Sequence, residues 1–454
     1  MSNVLDFVDQ TFFLGERATG VTSVLQCVWV YDRGVDFDGL RKFNQCLQRG
    51  RLSRRIERSP LPFGRHRWVS PPSQSDVEVA GTPRPREQFD AWLVEQANAP
   101  IDAEHGPGWR LAALPFTDGG AGISLVITHC LTDGVGLCEA LADAAADREN
   151  PVRWSSAGSR RRWRAWWQDA RQTARDLPAV GRAGVATVRF ARRNRGGAAA
   201  RHAGQRASKA RADERIALPM ATIFVDACEW DARAAALGGT SNTLLAAFAA
   251  RLAQRMGRVA SDGSVTVGMP VNERTAGDTR ANAVTSADFA VDPTSAATDL
   301  REIRAVTKQA LIRHREVPDE RTALLPLTPF VPRWLVRQMI GMAAASGAGV
   351  VSSNLGGIDP AANRPDGTDA NHFAIKGYNV GTTTSIMDRT GGILALLSGT
   401  ARGRVFVSVL AYQPNRMNSN EILRQDISSV LADFSLSATS DWTATPPDMY
   451  GLPA

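Results

Sequence analysis

The stretch that most constrains this chain is Ile123–Leu137, ISLVITHCLTDGVGL, an apolar run that ends on Thr128-His129 and gives way within a few residues to Asp133-Gly134. The run reads as a buried strand, the glycine-containing break as a tight loop, and the segment from about Gly136 to Ala145 as a helix. A strand, a loop and a helix in that order form a unit of an α/β fold, with an imidazole at the strand's end.

The same mixture extends to both sides. Val21–Asp32 has strand composition, FDGLRKFNQCLQRG has helical spacing closed by Gly50, Gln88–Asn98 is another short helix, and GWRLAALPF and AGISLVITH are strands joined by the turn TDGG. Residues 1–155 therefore read as a first α/β unit. Residues 216–454 read as a second. There ALPMATIFVDACEW is strand-like, NTLLAAFAARLAQRMG is a helix ended by Gly257, and GSVTVGMPVNER is a strand running into a loop. GVVSSNLGG, a strand pair in GGILALLSGTARGRVFVSVLAY and a helix in SNEILRQDISSVLADF follow. At 454 residues the chain has length for two or more packed units and a large core.

Residues 156–215 differ in kind. The net charge is +7, yet Arg160–Arg215 alone holds 16 Lys/Arg against 4 Asp/Glu, so the remainder is slightly acidic. In SRRRWRAWWQDARQTARDLP, residues Trp163, Trp166, Trp167, Ala170, Ala174 and Leu177 share one helical face, and Pro178 is expected to stop the helix. Two readings of that face stay open. It lies on a membrane surface, rings at the interface and arginines on anionic head groups, or it packs on the protein with its arginines solvated. Such charge also suits steering of a phosphate-bearing donor. No recognition motif accompanies it, so nucleic acid is not an expected partner. The Arg/Ala/Gly-rich RFARRNRGGAAARHAGQRASKARADE then reads as a linker.

Five cysteines, odd in number and without C-x-x-C spacing, argue against both a disulfide framework and a zinc site, and no metal is expected. The start lacks a basic n-region, and nowhere do about 18 apolar residues run together. A cytoplasmic location is the expectation.

Histidine exchanges a proton near neutral pH, with an ordinary pKa of about 6.5. His129 at a strand's end is thus a candidate general base for a hydroxyl or amine nucleophile. Asp133, just past a turn, reads better as a residue that pins the loop than as a direct partner of His129, and Gly134 as the one that permits the turn's backbone. Cys130 is a rival nucleophile, but strand alternation turns it away from His129.

These residues carry a family resemblance. THCLTDG resembles the H-H-x-x-x-D-G signature of the condensation-domain superfamily, which includes chloramphenicol acetyltransferase-like enzymes, peptide condensation domains, polyketide-associated acyltransferases and bacterial wax ester synthase/diacylglycerol acyltransferases. SRRIERSPLPFGRHRWV and APIDAEHGPGWRLAAL resemble that last group's arginine-rich segment and its P-L-D stretch. GGTSNTLLAAFAARL, VGMPVNERTAGDTRANAV and VVSSNLGGIDP resemble, in order, its N-D, P-V-x-x-R and T-N-V-P-G-P segments. Thr128 stands where the signature has its first histidine, and Asn242-Thr243 where it has N-D.

The resemblance implies two chloramphenicol acetyltransferase-like subdomains forming a pseudo-dimer around a central active-site channel. It implies direct acyl transfer from a thioester, acyl-CoA or acyl-phosphopantetheine as co-substrate, to an acceptor alcohol, with no permanently bound cofactor. His129 matches the base, Asp133 the structural aspartate and Arg274 its ion-pair partner. Thr128, Asn282, Ser352, Ser353 and Asn354 are the substrate or oxyanion candidates. A carrier protein is a possible donor partner. Amide formation by a stand-alone condensation enzyme, and a noncatalytic scaffold motivated by Thr128, stay open.

Overall fold

A computed structural model describes residues 3–71, 76–148, 154–193, 213–275, 277–317, 320–332, 334–336, 349–440 and 442. Its first half runs α1 (Phe7–Thr19), β1 (Thr22–Tyr31), α2 (Phe37–Leu47), β2 (Arg55–Glu57), β3 (Arg67–Val69), β4 (Glu78–Val79), α3 (Phe89–Ala97), β5 (Trp109–Pro115), β6 (Ala121–Thr128), α4 (Gly134–Ala145) and α5 (Arg162–Arg193). The second half runs β7 (Met220–Asp226), α6 (Ala227–Ala236), α7 (Ser241–Arg255), β8 (Val265–Asn272), β9 (Val284–Val291), α8 (Arg301–Glu316), α9 (Glu320–Leu324), β10 (Val350–Gly357), β11 (His372–Val380), α10 (Thr384–Thr390), β12 (Ile393–Ala401), β13 (Arg404–Tyr412) and α11 (Asn420–Asp433).

Two sheets carry the fold. One has the order β11-β1-β6-β5-β4, the other β7-β13-β12-β10-β8-β9, and β2 and β3 make a small ribbon. Every residue of β6 is buried, as its apolar run predicts. The chain crosses between the sheets: β11, from late in the sequence, pairs antiparallel with β1, Thr22 opposite Val380 and Val30 opposite His372. The sequence pattern did not reveal β11, because HFAIKGYNV buries a lysine mid-strand. Lys376 is tolerated there because its ammonium meets Asp90 at 3.2 Å and lies over the Trp442 ring. The two sheets also share side chains, with Phe373 of β11 edge-on to Phe406 of β13 at 6.0 Å between centroids.

Helix α5 departs from expectation in its length. It continues through Pro178 to Arg193 instead of stopping there. Anchors on both sides of the proline hold it: Asp169 and Asp176 upstream make ion pairs to Arg67 and Arg65, and Ala183 downstream is fully buried. The tryptophan stripe, moreover, does not pack on the protein. Trp163, Trp166 and Trp167 are 59%, 51% and 66% exposed, whereas Ala165, Asp169 and Ala183 face inward. Most of the expected linker, residues 194–212, lies outside the described residues.

The β1 core sets a stability test. Trp29 is fully buried, donates its indole N–H to the Ala362 carbonyl at 2.9 Å and lies edge-on to Phe43. Trp29→Ala is expected to cost about 3–5 kcal/mol, read as a lower urea-unfolding midpoint.

Candidate functional site

His129 sits one residue past the end of β6, its backbone N–H donating to the Ser23 carbonyl at 2.8 Å, so β1 fixes the start of the turn. Its Nδ1 lies 2.8 Å from Asn282 Oδ1. The amide nitrogen of Asn282 donates to Asp9 Oδ1 at 3.1 Å and to the His129 carbonyl at 3.0 Å, both oxygens that accept. The amide orientation follows, and with it the tautomer: Nδ1 carries the hydrogen, and Nε2 keeps the lone pair.

Asp9 closes this relay from α1. It is fully buried and accepts the backbone N–H groups of Ala281 and Asn282 at 3.0 and 2.8 Å. Burial raises its carboxyl to about 6, against the pull of Arg54 and the donated hydrogen bonds. Burial also holds the His129 imidazole below the ordinary histidine value, opposed by its own carbonyl, Asp133 and Asn282. The neutral, basic form therefore prevails at neutral pH. Phe12, also on α1, stacks on the imidazole at 4.9 Å and 3°.

Asp133 has separate work. It is the N-cap of α4, accepting from Gly136 N at 2.7 Å, and its other oxygen takes the Arg274 guanidinium at 2.7 Å and Ala283 N at 2.8 Å. Gly134 does not serve the turn's backbone, since its φ is not positive; an added Cβ there would stand 2.8 Å from a Leu355 methyl, which would have to shift. Arg54, buried over the Trp68 ring, donates to the Leu131 and Thr279 carbonyls and so ties the same loop to the segment before Asn282.

Cys130 lies in the turn rather than in the strand. Its thiol donates to Glu16 Oε2 at 3.3 Å, and burial, with Glu16 beside it, pushes the thiol well above its usual range. It is no nucleophile in that state. Thr128 hydrogen-bonds the same Glu16 oxygen at 3.2 Å while its hydroxyl oxygen accepts from Cys130 N, so the position of the first signature histidine braces the turn against α1.

Two of the oxyanion candidates donate their side-chain hydrogens within the protein. Asn282 has spent both amide hydrogens, and the Thr128 hydroxyl hydrogen goes to Glu16. Among the described residues, Ser352, Ser353 and Asn354 make no hydrogen bond to His129. Asn354 donates to Asn242 at 2.5 Å, and its neighbour Leu355 packs at Gly134, which brings the end of β10 beside the motif loop. Asp9 and Glu16 carry no recognisable motif in the sequence. Their spacing was a usable signal, since two acids seven residues apart share one face of a helix.

Solved structures superpose on the chain almost end to end. The first condensation domain of the CDA synthetase does so with a TM-score of 0.56 over 97% of this chain and 99% of its own, at 13% identity. The wax ester synthase/diacylglycerol acyltransferase from Marinobacter aquaeolei VT8 gives 0.54 over 95% and 98%, at 15% identity. The chain shares the fold of that condensation domain and of the wax ester synthase. Its two sheets are the two chloramphenicol acetyltransferase-like lobes of that fold, a third instance being polyketide synthase associated protein 5 from Mycobacterium tuberculosis, with a TM-score of 0.50 over 94% and 97% at 13% identity. No protein-family model and no curated protein matches the sequence.

In this two-lobed fold Asp133 belongs to one lobe and Arg274 to the other, and both side chains are almost wholly buried. Asp133→Ala is expected to cost about 3–5 kcal/mol by stranding the guanidinium, and adding Arg274→Met to restore a large part of it, a coupling that a double-mutant denaturation cycle measures.

Proposed function

We propose that this chain is an acyltransferase that moves an acyl group from a thioester to a hydroxyl acceptor, with His129 as general base. The observation that supports this best is the fixed tautomer: Asn282 Oδ1 accepts a hydrogen bond from Nδ1–H, leaving Nε2 as a lone-pair base on a ring that burial keeps neutral. The likeness to a wax ester synthase and to condensation domains agrees with that chemistry.

In the proposed reaction Nε2 accepts the acceptor's hydroxyl proton as its oxygen attacks the thioester carbonyl. The C–O bond forms, the tetrahedral oxyanion collapses, the C–S bond breaks, and the proton held on Nε2 passes to the departing thiolate. No acyl-enzyme is involved. The Asn282 partner is neutral, so it orients the ring without the charge stabilisation that a carboxylate would give the imidazolium. Ser353 and Asn354, near the Leu355–Gly134 contact, are the donors proposed for the oxyanion. The donor is acyl-CoA or an acyl-phosphopantetheine carrier, and the acceptor a small-molecule or lipid alcohol.

Purified protein supplied with a long-chain acyl-CoA and a panel of alcohols should release thiol and form ester. His129→Ala should lower kcat by about 10²–10⁴-fold. Turnover unaffected by that change would remove His129 from the chemistry, and productive amines in place of alcohols would turn the reading to amide formation. Because protonation of His129 abolishes the base and its pKa is lowered, kcat/KM should hold steady down through neutral pH and fall only below the ordinary histidine value of about 6.5, as a pH–rate profile would show.

A further inference from the structure

The acyl-transfer reading leaves one large feature unused, the outer face of α5. On a 3.6-residue period Trp163, Trp166, Trp167, Leu177 and Val185 form one stripe, and all five are more than half exposed. Arg164, Arg171, Arg175 and Arg182 fall in a row along one flank of it, exposed, and no ion pair joins them to an acid among the described residues. The acids of this helix point the other way. Asp169 is buried between Arg67 and Arg160, and Asp176 meets Arg65. The exposed side is therefore apolar and cationic together.

We propose that this face of α5 is a docking surface for an anionic lipid bilayer, with the helix lying in the plane of the membrane. Exposed apolar stripes of this extent mark interaction sites. The arginine row calls for an anionic occupant. Three indoles within a turn and a half favour a bilayer over an acidic protein, because an indole buries its ring among acyl chains while its N–H stays at head-group depth. From Trp163 to Val185 the stripe is about 33 Å long, enough for an interfacial helix. Contact is at the surface, since no helix among the described residues is long and apolar enough to cross a membrane. The helix packs inward on the turn Leu325–Phe330, which packs on α1, the element that carries Phe12 and Asp9. Docking would thus hold the histidine site close to the lipid surface. The inference does not depend on acyl transfer.

The test is co-sedimentation of the full chain with phosphatidylglycerol-rich vesicles and with phosphatidylcholine vesicles. The protein should pellet with the first at least about tenfold more strongly than with the second, and added salt should weaken the difference. The combined substitution Trp163→Ser, Trp166→Ser, Trp167→Ser and, separately, Arg164→Glu with Arg171→Glu and Arg175→Glu should each reduce binding about tenfold or more. All six positions are exposed, so circular dichroism and thermal midpoints should be unchanged, which separates lost docking from lost folding. Equal pelleting by parent and variants would overturn the proposal. Capture by an immobilised acidic carrier protein without vesicle binding would overturn it too, in favour of a protein partner.

Discussion

The Asp133 carboxylate is the point at which the lobes and the motif loop are locked together. One oxygen caps α4, and the other is shared by Arg274 and the Ala283 N–H, both from the second lobe. A buried ion pair of this kind contributes little net stability, because desolvation consumes most of the attraction, but it is unforgiving of displacement. A shift of the second lobe would leave both charges buried and unmatched. The seam is therefore held in one register, and Asn282, next to Ala283, is carried to the imidazole by the same contact. The His129 ring owes its orientation to this ion pair as well as to its own hydrogen bond.

Much of this site was legible in the sequence, and the illegible part has a common cause. The buried run to Thr128 gave strand β6, and His129 and Asp133 separated into two jobs on turn geometry. Arg274 was reachable only through the resemblance. Asp9 and Glu16 are marked in FVDQTFFLGERAT only as two acids on one helical face, because their partners Asn282 and Cys130 arrive from elsewhere in the chain. Asn282 was found, but its role was not, because hydrogen counting needs partners that a linear sequence does not supply.

Periodicity identified the apolar face of α5 without saying which way it points. Burial usually decides that question in favour of the larger side chains. Here the ion pairs decide it: Asp169 must reach Arg67 and Arg160, and small alanines allow the backbone to approach the protein on that side. Pro178 misled for a related reason, since a proline breaks a helix only when nothing beyond it rewards continuation, and the buried Ala183 supplies such a reward.

The pairing of β1 with β11 bears on biosynthesis. Thr22 meets Val380, so one side of β1 has no ladder partner until about 350 further residues have left the ribosome. Over that interval the first sheet is a nascent structure with an open hydrogen-bonding edge, a state that invites wrong partners. Loop closure over such a span is slow, and order in the first lobe must wait on the second. The lobes are halves in architecture, but in the order of their making they are one cooperative unit.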